Sequence, residues 1–490
     1  MADLAGDGLL VAGTAQARWV LAATVLGSGI ASLDATVVGV ALPTIGRDLR
    51  TGVASLQWLV TAYTLTLAAF LLLGGALGDR LGRRRIFSIG VVWFAVASAA
   101  CAAAPTAGSL IAARAVQGVG AALLTPGSLA ILQASFRSED RARAIGAWSG
   151  LGGLANAAGP LVGGELIAVS SWRWVFLINV PIAAVTLALT SRHVPESRDE
   201  SATGRLDVGG AVLAVCALTG LIYGLIEGPT RGWTDPVVVI MLGAAVAAGG
   251  AFVVLERRVG SPMLPLGIFA SRQFNAANAT TFVVYAALSG ALFLLPTELQ
   301  VAGGYSPAAS GLALLPVTAI MLFGSAPSGR LSARIGPRLQ MGAGPLIVAA
   351  GLALLSRAAT DASYATGVLP GVVVFGVGLA CTVAPLTATA MGAAPPGHSG
   401  IASAVNNDVA RAGGLIAVAV LPPLAGITGS TYLHARALSA GFRTAVLVAA
   451  GVCAAGGVLA ALTIRNPGRP TNEPCPPHCA TDGPPLRAGT

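Results

Sequence analysis

Fourteen apolar runs divide the chain, each near the length that a helix needs to cross a bilayer, about 20 residues. They lie near 19–41, 54–77, 86–104, 108–132, 144–168, 174–191, 207–226, 235–255, 274–298, 307–326, 339–356, 365–388, 401–425 and 442–464. In hydrocarbon every backbone N–H and C=O must find a partner inside its own segment, so runs of this kind are helices. The expected fold class is therefore an all-α polytopic membrane protein. Charge agrees: a soluble chain carries roughly 25% charged residues, whereas this one has 10%, with 55% hydrophobic. The first run is too long for a signal-peptide core and no cleavage site follows it, so it stays as a span.

Between the second and third runs, Gly74–Phe87 packs Asp79 with Arg80, Arg83, Arg84 and Arg85. Such a cluster belongs in water, and short Arg-rich loops stay in the cytoplasm. A degraded copy, Gly329 to Arg338, aligns with Gly75 to Arg84 at an offset of 254 positions, with Ala333 where the first has Asp79. A loop repeated on one face implies two halves related by an axis along the membrane normal. The paired loops follow spans 2 and 10, so two helices are inserted between two six-helix bundles. Most of the 29 arginines fall on one side if both termini are cytoplasmic, which sets the expected orientation.

The expected domains are a cytoplasmic lead, 1–18; a first bundle, 19–191; loops with two inserted helices, 192–273; a second bundle, 274–464; and a disordered cytoplasmic tail, 465–490. The net charge of +9 follows from the basic loops and does not indicate nucleic acid. The chain has no lysine, which fits a GC-rich genome. Cys475 and Cys479 flank His478 in the tail, three ligands without the fourth that a structural zinc site needs.

Two charges sit inside spans. Asp34 lies in span 1, and an ionisable residue there costs roughly 3 kcal/mol unless it faces a wet cavity or a partner. It either loads and releases a proton each cycle or is locked to a neighbouring helix for folding. Arg114 lies in span 4 with Gln117 one turn on. It either pairs with a carboxylate such as Asp34 or bonds backbone carbonyls at a helix crossing. Asp79 is expected to pair with an arginine, with Arg143 as a candidate, and so to latch one conformation. Glu298, Gln117, Asn406 and Asn407 are candidates for a substrate cavity, although Glu298 equally reaches external water. Glu165, Glu227 and Asp408 lie near helix ends, and Asp408 with Arg411 has the spacing of a pair on one helical face. Trp58, Trp172 and Trp174 are expected to include interfacial anchors.

The stretch G-x-L-x-D-R-x-G-R-R around Asp79 resembles the cytoplasmic loop signature of the major facilitator superfamily. The segment Leu33–Pro43 resembles the first-span signature of its 14-span drug:proton antiporter branch, with Gly39 where Asn is usual. Arg114-Ala-Val-Gln117-Gly is similar to the fourth-span motif, and Gly159-Pro160-Leu-Val-Gly163-Gly164 to the fifth-span motif of antiporters. The resemblance implies proton coupling at Asp34 and Arg114 and gating by Asp79, Arg80, Gly82, Arg83 and Arg84. It also implies export of drugs, antibiotics or similar amphipathic compounds against protons, by a monomer in the plasma membrane. Uptake symport and a non-transporting sensor are the alternatives. No enzyme is expected, since no phosphate loop or nucleophile–base set is present. No cofactor or metal is expected either; the proton gradient supplies the energy.

Overall fold

Proline and glycine punctuate the apolar runs, and the helices that result are long because nothing polar interrupts their backbone bonding. The computed structural model describes residues 9–199, 207–259, 264–358, 363–393 and 399–466. The lead up to residue 8, loop residues 200–206 and the tail with Cys475 and Cys479 lie outside the described residues. In chain order the helices are α1 Ala15–Asp48, α2 Val53–Leu81, α3 Arg83–Ala103, α4 Ala107–Ser135, α5 Ser138–Val169, α6 Trp174–Leu177 and α7 Asn179–His193. Then come α8 Val208–Arg231, α9 Pro236–Arg258, α10 Arg272–Val301, α11 Pro307–Leu312 and α12 Leu315–Ile335. The last four are α13 Pro337–Leu355, α14 Leu369–Gly392, α15 Ser399–Leu424 and α16 Ala435–Thr463.

Thirteen helical segments of the described residues are long and apolar enough to cross a membrane. That is one fewer than the apolar runs suggest. The difference is α5, a helix of 32 residues, whose mean hydropathy is diluted by Asn156, Glu165 and repeated glycine. Helices α1 to α7 pack largely among themselves, as do α10 to α16. Between these groups, α8 and α9 form a hairpin that touches α2 and α15.

The sequence repeat has a structural counterpart. Gly82 joins α2 to α3 with φ of 109°, and Gly336 joins α12 to α13 with φ of 85°. Both occupy the left-handed region, where a side chain is strained. Each following helix is capped from a distance. The Arg84 N–H donates to Glu196 Oε1 at 3.0 Å, and the Arg338 N–H, at the equivalent position, donates to Asn466 Oδ1 at 3.0 Å. Glu196 and Asn466 each follow the last helix of their group, so each group closes by satisfying an orphan donor at the start of an inner helix, α3 in the first and α13 in the second.

The two groups meet at the end of the molecule opposite these basic loops. There the Val53 N–H donates to the Gly429 carbonyl at 2.9 Å, and the Tyr432 hydroxyl to the Thr51 carbonyl at 2.8 Å. Gln300 Nε2 reaches the Val40 carbonyl at 2.9 Å. A Cβ on Gly164 would overlap the Ala308 backbone, and one on Gly311 the Pro160 carbonyl, so α5 and α11 approach backbone to backbone. The most specific cross-link is Gln57. Pro422 and Pro423 lack N–H groups and leave the carbonyls four residues earlier, at Val418 and Ala419, without helical donors. Gln57 Nε2 donates to both, at 2.7 and 3.0 Å.

Gln57→Leu strands two buried carbonyls, at a cost of about 1–3 kcal/mol each. It should loosen this end. A cysteine introduced at Val60, in the cavity beyond Gln57, should then react faster with an impermeant maleimide added on the Gly429 side. The background is the same variant without that cysteine. An unchanged rate would show that the carbonyls find other donors.

Candidate functional site

Asp34, on α1, is fully buried, and so are Arg114 and Gln117 on α4. The i, i+3 spacing on α4 puts the guanidinium and the amide on one face, aimed at the same carboxylate. Arg114 Nη1 pairs with Asp34 Oδ2 in a very close contact and donates to Gln117 Oε1 at 2.6 Å. Gln117 Nε2 donates to Asp34 Oδ1 at 2.9 Å and to Ser98 Oγ at 2.8 Å. Asn179, at the start of α7, donates through Nδ2 to Asp34 Oδ1 at 2.9 Å. Arg114 Nε is taken by the Leu59 carbonyl at 3.1 Å, and its Cζ lies 4.2 Å from the centre of the Tyr63 ring. One carboxylate thus ties α1, α4 and α7 together, with α2 and α3 engaged through Arg114 and Ser98. The alternatives left open by sequence merge, because Arg114 pairs with Asp34 and also bonds a backbone carbonyl.

At the basic end Asp79 accepts from Arg83, with 2.8 Å between Oδ1 and Nη2. Its ion pair is therefore within its own loop, an i,i+4 pair, instead of reaching Arg143. The strand of chain after α7 is strapped to this loop. The Arg83 N–H donates to the Ser197 carbonyl and the Asp199 N–H to the Asp79 carbonyl, both at 2.8 Å. Arg84 faces Glu196 at 3.7 Å, and both side chains are well exposed. Arg80 and Gly82 complete the turn.

A cavity of about 260 Å3 lies between α2, α10 and α15, its polar lining being Thr61, Thr64, Tyr285, Ser289, Asn407 and Arg411. It sits one turn from the Gln57 cross-link, in the seam between the two helix groups. Among the described residues no group of three or more His, Cys, Asp or Glu side chains is placed to hold a metal ion.

The profile of the Major Facilitator Superfamily matches residues 24–418. The chain belongs to the major facilitator superfamily. It is 39% identical over 402 residues to the Multidrug resistance protein Stp of Mycobacterium tuberculosis, an alignment covering 82% of this chain and 74% of that protein. To the Puromycin resistance protein pur8 of Streptomyces alboniger it is 36% identical, over 90% of each chain. Among solved structures, the inward-facing, unoccupied bacterial homologue of the human lysosomal transporter Spinster superposes with a TM-score of 0.67. That match covers 93% of this chain and 100% of the other at 17% identity, which speaks for the fold alone. The protein is a multi-pass membrane transporter whose relatives are named for drug and antibiotic resistance.

In this facilitator the fifth-span glycines serve close packing. A Cβ on Gly159 would overlap Thr36, and one on Gly163 would press on Val37, both one turn or less from Asp34 on α1. Gly164 and Pro160 face α11 instead. Of the four cavity candidates, only Asn407 lines the cavity. Gln117 belongs to the Asp34 cluster. Asn406 is buried and cross-links α15 to α10 through Asn278 Oδ1 at 3.1 Å and Thr281 Oγ1 at 2.7 Å. Glu298 does not reach external water. It is 1% exposed and accepts from Ser439 Oγ at 2.6 Å. Glu165 is exposed, whereas Glu227 accepts from Trp58 Nε1 at 3.0 Å and from Arg231 at 3.2 Å. Trp172 is not an exposed anchor either; it is 2% exposed and donates to Asp48 at 2.7 Å.

Sequence reasoning missed Asn179, Ser98 and Arg411. The first two are neutral residues in spans and carry no charge signal. Arg411 did carry one, as an ionisable residue in span 13, but its spacing to Asp408 suggested a pair. Among the described residues no ion pair joins them.

Asp34→Asn leaves a buried guanidinium without its counter-ion and should cost about 3–5 kcal/mol of stability. Adding Arg114→Leu should recover most of that loss, as read by thermal unfolding in detergent, while transport stays abolished in both variants. A double variant no more stable than the single one would show that the pair is not the source of the loss.

Proposed function

We propose that this transporter exports an amphipathic organic compound from the cytoplasm in exchange for protons, with Asp34 as the proton carrier. The observation that supports this most directly is a buried carboxylate held by Arg114, Gln117 and Asn179 at the junction of α1, α4 and α7. The names of the relatives support export of a drug or antibiotic, and the Gly159 to Gly164 motif supports antiport over uptake by symport. In this reading the chain crosses the membrane fourteen times, α5 included, with both termini and the basic loops in the cytoplasm. Residues 19–191 and 274–464 act as two six-helix bundles, and the helices between them are an insertion.

The described conformation is then closed toward the outside. Protonating Asp34 removes its charge attraction for Arg114 and weakens what its oxygens accept from Gln117 and Asn179. Helix α1 is thereby freed relative to α4 and α7. Because Thr36 and Val37 pack on Gly159 and Gly163, a shift of α1 moves α5, and α5 carries Gly164 at the outer seal. Asp79, Arg80, Gly82, Arg83 and Arg84 hold the cytoplasmic face in one of its two arrangements. No cofactor is required, and a monomer suffices.

The test uses inverted membrane vesicles acidified inside, with puromycin and a panel of dyes and antibiotics as probes. Some compound should release protons from vesicles carrying the wild type, and none should do so from vesicles carrying Asp34→Asn/Arg114→Leu. Release that survives in the folded double variant would remove Asp34 from the proton pathway.

A further inference from the structure

The cavity between α2, α10 and α15 has a chemistry that the Asp34 pair does not use. Arg411 is its only charged lining residue. No hydrogen bond or ion pair engages Arg411, Tyr285 or Ser289 among the described residues. The hydroxyls of Thr61 and Thr64 donate to the carbonyls of their own helix, at 2.7 and 3.1 Å, and so have no proton left to offer. The free donors are therefore a guanidinium, a phenol and a serine hydroxyl, together with the second N–H of the Asn407 amide, whose first goes to the Ser403 carbonyl at 2.9 Å; all lie on α15 and α10.

We propose that this cavity is the substrate site and that Arg411 binds an acidic group of the substrate, so that the compounds carried are amphipathic anions. The proposal rests on the export reading for every step after binding. An unpaired guanidinium inside a membrane protein is costly unless water or an anion meets it. Its planar fork matches a carboxylate in two-bonded geometry, which a neutral ligand cannot reproduce. No carboxylate lines this cavity, although Asp408 is near enough for Arg411 to act on its charge without forming an ion pair. Asp408, one turn away, lines a separate cavity against α2, α8 and α9. Glu298 is buried against Ser439, and Asp34 is engaged by Arg114. Val60, Leu415 and Val418 supply an apolar wall for the rest of the molecule.

The measurement is thermal stabilisation of the full-length protein in detergent by fusidate and nalidixate, each against its methyl ester, and by the cations ethidium and rhodamine 6G. Both acids should stabilise the wild type and their esters far less, with the cations inert. Arg411→Gln should weaken acid binding roughly tenfold or more, as loss of a charge-assisted bond does. Arg411→Lys, which keeps charge without the fork, should retain part of it. Equal binding of acids and esters, or stabilisation by the cations alone, would overturn the assignment, and neither comparison needs a variant to fold. Vesicle proton release separates the two readings. If the acids bind but release no protons, the export reading fails and the site stands. Proton release by ethidium with no response to either acid would leave export standing and remove the anion site.

Discussion

Asp34 and Arg114 carry their charges where removal from water costs several kcal/mol per ion even after relaxation. A dense set of partners offsets that cost: two amides and a guanidinium on the carboxylate, and a carbonyl, an amide oxygen and an aromatic face on the arginine. This need for partners draws five helices to one point. It constrains the Gly159 and Gly163 packing as well, since α1 must hold Asp34 in register while lying against α5. Under the proposed function, a proton that neutralises the carboxylate removes the attraction that offsets Arg114's desolvation.

The repeated loop tells how the two halves have diverged. Gly82 and Gly336 share a backbone conformation at equivalent positions, and Arg84 and Arg338 share a distant cap. The partners differ in charge. In the first half the cap is the carboxylate of Glu196, next to the Asp79–Arg83 pair; in the second it is the amide of Asn466, and Ala333 replaces the acid. The backbone scaffold was kept in both, while the charged interactions remained in one. Under the proposed function this concentrates the cytoplasmic latch on the half that also holds Asp34.

Much of the architecture was legible because hydrocarbon leaves a chain few options: span length, glycine and proline breaks and arginine-rich loops follow from that one restriction. Asp34 and Arg114 were legible for the same reason, as charges where none is cheap. Charge alone does not say where a side chain points. Glu298 and Arg411 each invited a reading from their neighbours in sequence, and packing decided otherwise: Glu298 accepts from Ser439, and Arg411 makes no ion pair with Asp408 and lines a different cavity. Asn179 and Gln57 are uncharged, and their importance depends on what they meet across the helix seam. Span 5 shows the converse. Its glycines lower its hydropathy, and three of them, Gly159, Gly163 and Gly164, stand where another helix leaves no room for a side chain.

Gln57 and the paired prolines explain why the closed end can be both firm and releasable. An apolar seal gains little inside a membrane, where lipid tails are as apolar as leucine, so closure there must rely on backbone approach and directed bonds. Pro422 and Pro423 provide two adjacent carbonyls that no helical N–H can satisfy, and one glutamine amide from the other half fits both. When the halves separate, those carbonyls need new donors. Water entering an opened cavity supplies them, while lipid cannot. The bond set therefore favours only two situations, halves joined or cavity flooded, and disfavours a dry gap between them. For a transporter that alternates, the states that leak little are those at the two ends of its cycle, and the placement of two prolines opposite one glutamine biases the chain toward them.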